Sequence, residues 1–533
     1  MVGKIVQDGY LIVTWANYHY FDFVKTWVAH VQSVGVTGFI VGAMDDQLLN
    51  ELITRKINCF SMKSGLTLGD FGWGSKTFAK MGREKIRLIS VFLKLDVTVI
   101  IADVDVVFLR NPLPFFQRYP DADMLTSSDH LHNSVSDESL ENWREAGSAA
   151  NIGIMMFRSK ALPFVEAWIE VIEKDATIWD QNAFNDLFRK GITLLPDSEK
   201  NLFLAYDSTL RMGILPVSIF CSGHTYYVQR LAQRLKLEVY AVHATFQFSG
   251  TTGKRHRMRE DMLWLDEPEY YTHPVGFLDF KMDGVEDLLA GSGPATNTMK
   301  LDNVQGHFHL VNHQIVRVRN AIAVGQVLGR SVVMPQLQCG LDRWWAPHAG
   351  RIPGSQFPLP FQCPLDHVFE MEQGFLRDFP ASEATGKVDY REHSFFNNPR
   401  MDATTNGSRA VVVMCARGDS SCSDGSSPSP IKVVGGKPTV RIQSGLMSQP
   451  LTTALQEVAP YKVLEFSSMA APFKNFTDPG DWTRFFTRLK HSGSIWCCVA
   501  AHPGHIHYDL WWDVEHTDKF GRKWETWEPK CGP

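Results

Sequence analysis

Short apolar runs alternate with longer stretches of helical spacing through the first half of the chain. Leu11 to Thr14 and Phe39 to Gly42 read as strands, and Phe21 to Val34 reads as a helix. Thr77 to Leu95 has helical periodicity, with Phe78, Met81, Ile89 and Phe92 on its apolar side. Val97 to Ala102 is an unbroken apolar run, the mark of a strand buried on both faces. Asp103-Val104-Asp105 follows, Val106 to Leu109 resumes the run, and Arg110-Asn111-Pro112 ends it. Further strands are predicted at Met124 to Thr126 and Ile152 to Phe157. Ser159 caps a helix reaching about Glu173, and Asp180 opens another. This alternation predicts an α/β domain with a mostly parallel sheet over residues 1–275.

From 276 to 305 the pattern lapses into Gly284, Gly291-Ser292-Gly293-Pro294 and Asn297, which reads as a linker. A second α/β domain is expected over 306–533. It begins with a helix from Val311 to Leu328 and the strand Ser331 to Met334. Later strands are predicted at Ala410 to Met414 and Tyr461 to Phe466, with a helix at Trp482 to Lys490. The Ser/Gly/Pro-rich stretch Ser420 to Pro430 reads as a disordered loop.

Composition narrows the classes. With 533 residues the chain is too long for one core, and a net charge of −5 gives no reason to expect nucleic acid as a partner. Seven of the nine cysteines follow residue 330, and none has the spacing of a zinc site. Cys339 is placed to meet Cys363, and Cys415 to meet Cys422. Two glycosylation sequons, at Asn406 and Asn475, lie in the same half, which together favours a lumenal compartment. No apolar run approaches the roughly 20 residues of a membrane helix. The chain is therefore expected to be either cytosolic or attached to a membrane only through an N-terminal anchor that this sequence does not contain.

The candidate chemistry centres on Asp103 and Asp105. Two aspartates at the end of a buried strand are costly unless a cation lies between them, and hard carboxylate oxygens suit Mn²⁺ or Mg²⁺ carrying a diphosphate. The bland alternative is a strand end where both are solvated. His243, at the end of the strand-like Val239 to Val242, is a candidate third ligand, or else a hydrogen-bonded core histidine. After it come the Gly250 to Gly253 loop and the basic run Lys254-Arg255-His256-Arg257-Met258-Arg259, suited to diphosphate oxygens or to a solvated patch. Thr14, Asn17 and Asp45, at the ends of the first two strands, are candidates for base and ribose or else turn formers, and Lys80, Arg83 and Lys85 are candidates for phosphate or else a plain exposed helix face. Asn151 and Gly153 start a strand where backbone can approach a ligand. Asp180 and Gln181 follow Trp179 at a helix start; Asp180 either caps the helix or faces the sugar.

These segments resemble plant and algal glycosyltransferases of family 77, which have the GT-A nucleotide-diphospho-sugar transferase fold, in particular the extensin arabinosyltransferases. The resemblance runs through Thr14-Trp15-Ala16-Asn17, Val41-Gly42-Ala43-Met44-Asp45, Gly72-Trp73-Gly74-Ser75 and Lys80-Met81-Gly82-Arg83-Glu84-Lys85. It continues in Asp103-Val104-Asp105, Asn151-Ile152-Gly153-Ile154, Trp179-Asp180-Gln181-Asn182, His243 and Gly253-Lys254-Arg255, and on into Cys363-Pro364-Leu365-Asp366-His367. It implies a UDP-sugar donor, UDP-β-L-arabinofuranose, and retaining transfer with Mn²⁺ to arabinosylated hydroxyproline of cell-wall extensin-like glycoproteins in the Golgi. It also implies that Asp103, Asp105 and His243 hold the metal and that Asp180 and Gln181 face the sugar. The second domain faintly resembles the opening of protein O-fucosyltransferases through Arg319 to Pro335. No second nucleotide site is evident there, so an accessory or acceptor-binding role is expected.

Two other readings compete. A haloacid-dehalogenase-type phosphatase also uses Asp-x-Asp after an apolar strand, but places it on the first strand and needs a later lysine and acidic pair. An inert glycan-binding scaffold on a transferase fold would not need the metal set.

Overall fold

In the computed structural model the described residues are 2–291, 304–340, 351–371 and 388–489, with short stretches up to 524, and excepting 67, 72–75, 176 and 197–199. The chain divides into two compact units, Met1–Phe246 and Gln247–Pro533. The division precedes the expected boundary at 275, and residues 247–275 fall in the second unit.

The first unit is built on a nine-stranded mixed sheet. Its strands are β1 (Tyr10–Ala16), β2 (Phe39–Ala43), β3 (Cys59–Ser61), β4 (Thr98–Ala102), β6 (Met124–Ser128), β7 (Ala150–Phe157), β8 (Thr193–Leu194), β9 (Phe203–Ala205) and β10 (Leu210–Ile214), in the order β3-β2-β1-β4-β7-β6-β10-β9-β8. The half from β3 to β4 is parallel, while β7 runs antiparallel to both β4 and β6. Every residue of β1, β2 and β7 is buried, as continuous apolar strands covered on both faces should be. Trp27 and Val24 pack on one face, Ile89, Phe92 and Trp168 on the other.

The apolar run around Asp103 is two strands rather than one. β4 ends at Ala102, a turn carries Asp103-Val104-Asp105, and β5 (Val106–Phe108) leaves for a three-stranded sheet with β11 (Phe220–Ser222) and β12 (Ala241–His243). The turn leaves the Asp103 side chain partly exposed, while Asp105 stays buried and needs a partner there.

The second unit carries a seven-stranded sheet, parallel except for one edge strand. Phe277–Phe280 is an inner strand of that sheet and Val285–Gly291 is a helix, so 276–291 is structure rather than linker; 292–303 lie outside the described residues. The helix predicted from Val311 extends from Val304 to Leu328. Both expected disulfides, Cys339–Cys363 and Cys415–Cys422, are present. The Ser420–Pro430 loop is tied down rather than disordered: Ser423 O accepts from Gln443 N at 2.9 Å, and Ser429 N donates to Ala454 O at 3.0 Å. Backbone hydrogen bonds made with the neighbouring strand outweigh a composition that resists a core of its own. Among the described residues no helix is long and apolar enough to cross a membrane.

Candidate functional site

The antiparallel register between β5 and β12 sets Val106 opposite His243. That pairing carries the imidazole from far along the chain back to the Asp103–Asp105 turn. His243 Nε2 lies 3.4 Å from Asp105 Oδ1 and 3.8 Å from Asp103 Oδ2. One ligand atom from each of the three residues lies within 4.8 Å of the others. Two carboxylates and one imidazole this close suit a hard or borderline divalent cation, and this donor set fits Mn²⁺ or Mg²⁺. Gly153 makes the arrangement possible, because a Cβ there would stand 2.1 Å from His243 Cε1.

Lys85 is the cation already present. Its ammonium donates to Asp103 Oδ1 and to Ile152 O, each at 2.7 Å, and lies 5.1 Å from the Trp15 ring centroid. Only 3% of Lys85 is exposed. It therefore holds Asp103 in place rather than reaching into solvent.

Beyond Gly153, a strip of amides and carboxylates continues the site. Asn151 Oδ1 accepts from Gly153 N at 2.7 Å, and Asn151 Nδ2 donates to Asp129 Oδ2 at 2.9 Å. Gln181 Nε2 donates to the same Asp129 oxygen at 3.2 Å. Burial pushes the Asp129 carboxyl above its ordinary range, against the pull of Asn151, His243 and Gln181. Sequence reading missed Asp129. It follows the end of β6 as Asp103 follows β4, but β6 ends in Thr126-Ser127-Ser128 rather than in an apolar run, so the local signal was weak.

Asp180 opens the helix Asp180–Phe188, but it does not cap it. The N-cap is Trp179 without a side-chain cap bond, and Asp180 Oδ1 accepts from the adjacent Gln181 N, at 2.9 Å. Its Oδ2 sits over Gly82, where a Cβ would come within 2.3 Å. Burial raises the Asp180 carboxyl, and the Lys85 charge pulls it back down. Glycines at 82 and 153 thus make room for the two side chains that sequence alone left ambiguous.

The remaining candidates are dispersed. Thr14 is fully buried within β1, in register with Val41. Asn17 is also fully buried and donates to Gly69 O at 2.8 Å. Asp45 caps the Asp46–Thr54 helix through Leu48 N and accepts from Tyr18 N at 2.6 Å. Gly72 to Ser75 lie outside the described residues. The Gly250–Gly253 loop and basic run are one helix, Gly250–Glu260, in the second unit. Lys254 and Arg255 are half-buried there, with the Arg255 guanidinium 5.9 Å from the Trp264 ring centroid. Arg257 of that run is fully buried against Asp366 at 3.0 Å. Lys254 and Arg255 both belong to the second unit.

Known proteins resemble this chain along most of its length. Residues 34–258 match the nucleotide-diphospho-sugar transferase family. Arabinosyltransferase XEG113 of Arabidopsis thaliana is 41% identical over 516 residues, covering 96% of this chain and 78% of that protein. Beta-arabinofuranosyltransferase RAY1 of the same plant is 27% identical over 208 residues, 37% of each chain. The apo-form glycosyltransferase GlyE of Streptococcus pneumoniae superposes with a TM-score of 0.30 at 13% identity, over 52% of this chain and 72% of that one. The chain belongs to the nucleotide-diphospho-sugar transferase family of glycosyltransferases, among relatives of Arabinosyltransferase XEG113.

Proposed function

We propose that this chain is a metal-dependent, retaining arabinosyltransferase. It moves L-arabinofuranose from a UDP-sugar to arabinosylated hydroxyproline of extensin-like glycoproteins in the Golgi. The observation that carries the reading is the joining of Asp103, Asp105 and His243 at the end of a buried strand, on a chain aligned over 96% of its length with an arabinosyltransferase. The two disulfides fit an oxidising secretory compartment.

In this reading Asp103, Asp105 and His243 hold Mn²⁺ or Mg²⁺. A cation bound there offsets the diphosphate charge and makes UDP a better leaving group. Lys85 fixes the Asp103 carboxylate, so the ligand geometry does not depend on the donor being present. Asn151 orients the Gly153 backbone, and Asp129 with Gln181 presents acceptors and donors to sugar hydroxyls. Asp180, held by the Gln181 amide beside Lys85, is the carboxylate that meets the anomeric centre. The second unit is accessory or acceptor-binding. The test is a screen of UDP-sugars with Mn²⁺ for hydrolysis and for transfer to arabinosylated hydroxyproline peptides. Turnover of UDP-arabinofuranose abolished by EDTA is expected; equal turnover in EDTA removes the metal from the reaction, and transfer of another sugar alone removes arabinose.

A further inference from the structure

The three-stranded sheet β5-β11-β12 has two functional ends. One carries Asp105 and His243. At the other, Leu109 and Arg110 continue from β5 and Val239 precedes β12, and they border a cavity of about 410 Å³. From Val106 to Arg110 the chain advances about 13 Å, so the cavity shares no residue with the metal cluster. Its volume falls within the range of about 300–1,000 Å³ usual for small-molecule sites.

The lining includes the apolar residues Leu109, Leu231 and Val239. Tyr226, Arg110, Arg230, Gln233 and Glu238 also line it. Donors and acceptors are mixed rather than of one sign. Arg110 is already matched by Glu138 at 2.7 Å, stands 3.9 Å from Glu238, and lies 4.2 Å from the Tyr240 ring centroid. A neutral polyhydroxylated ligand meets what it needs: an aromatic and aliphatic surface for C–H groups, and amide, guanidinium and carboxylate groups for hydroxyls.

The wall is irregular in a way that local sequence does not require. His224–Val228 is a π-helix, and Arg230 and Lys236, with φ of 53° and 57°, flank the Leu231–Leu235 turn in the left-handed region. Such backbone is uncommon for residues other than glycine and collects at functional sites. Gln229, between Tyr226 and Arg230, donates to Leu131 O at 2.8 Å and so ties this wall to the loop that bears Asp129.

We propose that this cavity is a carbohydrate-binding site, separate from the transfer centre, that takes neutral sugar units of the acceptor glycan. The identity of those units as arabinose rests on the functional reading above; the carbohydrate class rests on the cavity. A transferase that extends an existing glycan gains from a second foothold, because the first binding event raises the effective concentration of the acceptor end at the metal cluster.

Isothermal titration of the full chain in EDTA, without donor, tests it. The probes are a neutral arabinofuranose oligosaccharide, a neutral galacto-oligosaccharide and an unglycosylated hydroxyproline-rich peptide. The arabino-oligosaccharide is expected to bind, with its Kd raised at least about tenfold in Tyr226→Ala and in Glu238→Ala and little changed in Asp105→Ala. The two variants guard against a folding failure, since the Glu238 side chain is 83% exposed. Binding of the galacto-oligosaccharide alone would keep the carbohydrate site and overturn the arabinose assignment. Arabino-oligosaccharide binding without any UDP-sugar turnover would keep the site and overturn the transfer reading. No oligosaccharide binding, binding of the peptide alone, or binding sensitive to Asp105→Ala but not to Tyr226→Ala would overturn the proposal.

Discussion

The two units hold buried charge in opposite ways. In the second unit Arg257 meets Asp366 at 3.0 Å with both side chains buried, Arg259 meets Asp266, and His256 stands 3.1 Å from Glu260. Each acid has its own base. In the first unit Asp103, Asp105, Asp129 and Asp180 gather around the buried Lys85 ammonium and the His243 imidazole. One-to-one pairs pin a fold; several acids sharing the same cationic groups form a cluster that suits a further cation. The distinction also sorts the basic segments. Lys254 to Arg259 is a denser cationic run than anything near Asp103, yet its one fully buried arginine, Arg257, serves the interior of the second unit.

The comparison breaks if substitutions in the two regions have the same consequences. The largest effect is expected in the second unit. Arg257→Met removes the guanidinium from the buried Asp366, leaving it His367 and the Phe248 amide, and should cost about 3–5 kcal/mol in chemical denaturation. Burial pushes the Asp366 carboxyl up, but Arg257 and His367 more than reverse this and hold it well below the usual range. The stabilisation from Asp366 is therefore in place above about pH 4 and lost as pH falls further. Unchanged stability in Arg257→Met would show that the pair is not what secures this unit.

In the first unit the effects should appear in rate rather than in folding. Asp180→Asn is expected to slow transfer at least about 10³-fold, roughly 4 kcal/mol, with UDP binding retained. A loss nearer tenfold would reassign Asp180 to orienting sugar hydroxyls, and wild-type activity would remove it from the mechanism. Asp105→Ala should cost on the order of 100-fold in rate, with a melting temperature at or above that of wild type, since it relieves like-charge repulsion. A steep fall in melting temperature would place Asp105 among the structural charges instead. Gly153→Ala drives a methyl group into the His243 ring. Metal affinity measured directly should weaken about 10–100-fold, comparable to disturbing a ligand's support.

The smallest effect sharpens the contrast through pH. Asp129 has a raised carboxyl in the folded chain, so its ionisation opposes folding as pH rises above about 4. Asp129→Asn removes that cost. The melting temperature of the variant relative to wild type, both without metal, should rise between about pH 4 and pH 7. A difference that stays flat across this range would mean that Asp129 carries no such burden.

Much of the first unit was legible because its strands are continuous apolar runs separated by helical periodicity. β1, β2 and β4 appear within a residue or two of where Leu11, Phe39 and Val97 announce them. The second unit was harder, since Phe277–Phe280 gains its place only by pairing with Ser331–Val333 and Val463–Phe466, far along the chain. Glycine-rich composition also misled. Gly250 to Gly253 reads locally as a loop, and tertiary packing of His256 and Arg257 makes it the start of a helix.

For the site, local sequence was sufficient to place two carboxylates at the end of a buried strand, because alternation of apolar and acidic residues is a local property. It carried the family resemblance as well. Distances between segments are not local. Only the folded chain decided that His243 returns to Asp105 through the β5–β12 register, that Gly82 and Gly153 clear space for Asp180 and His243, and that Lys85 is committed to Asp103. Only the fold brought Asp129 to Asn151 and Gln181. A charge has no meaning for function until its neighbours are known, and in this protein those neighbours lie up to 140 residues away along the chain (Asp103 and His243).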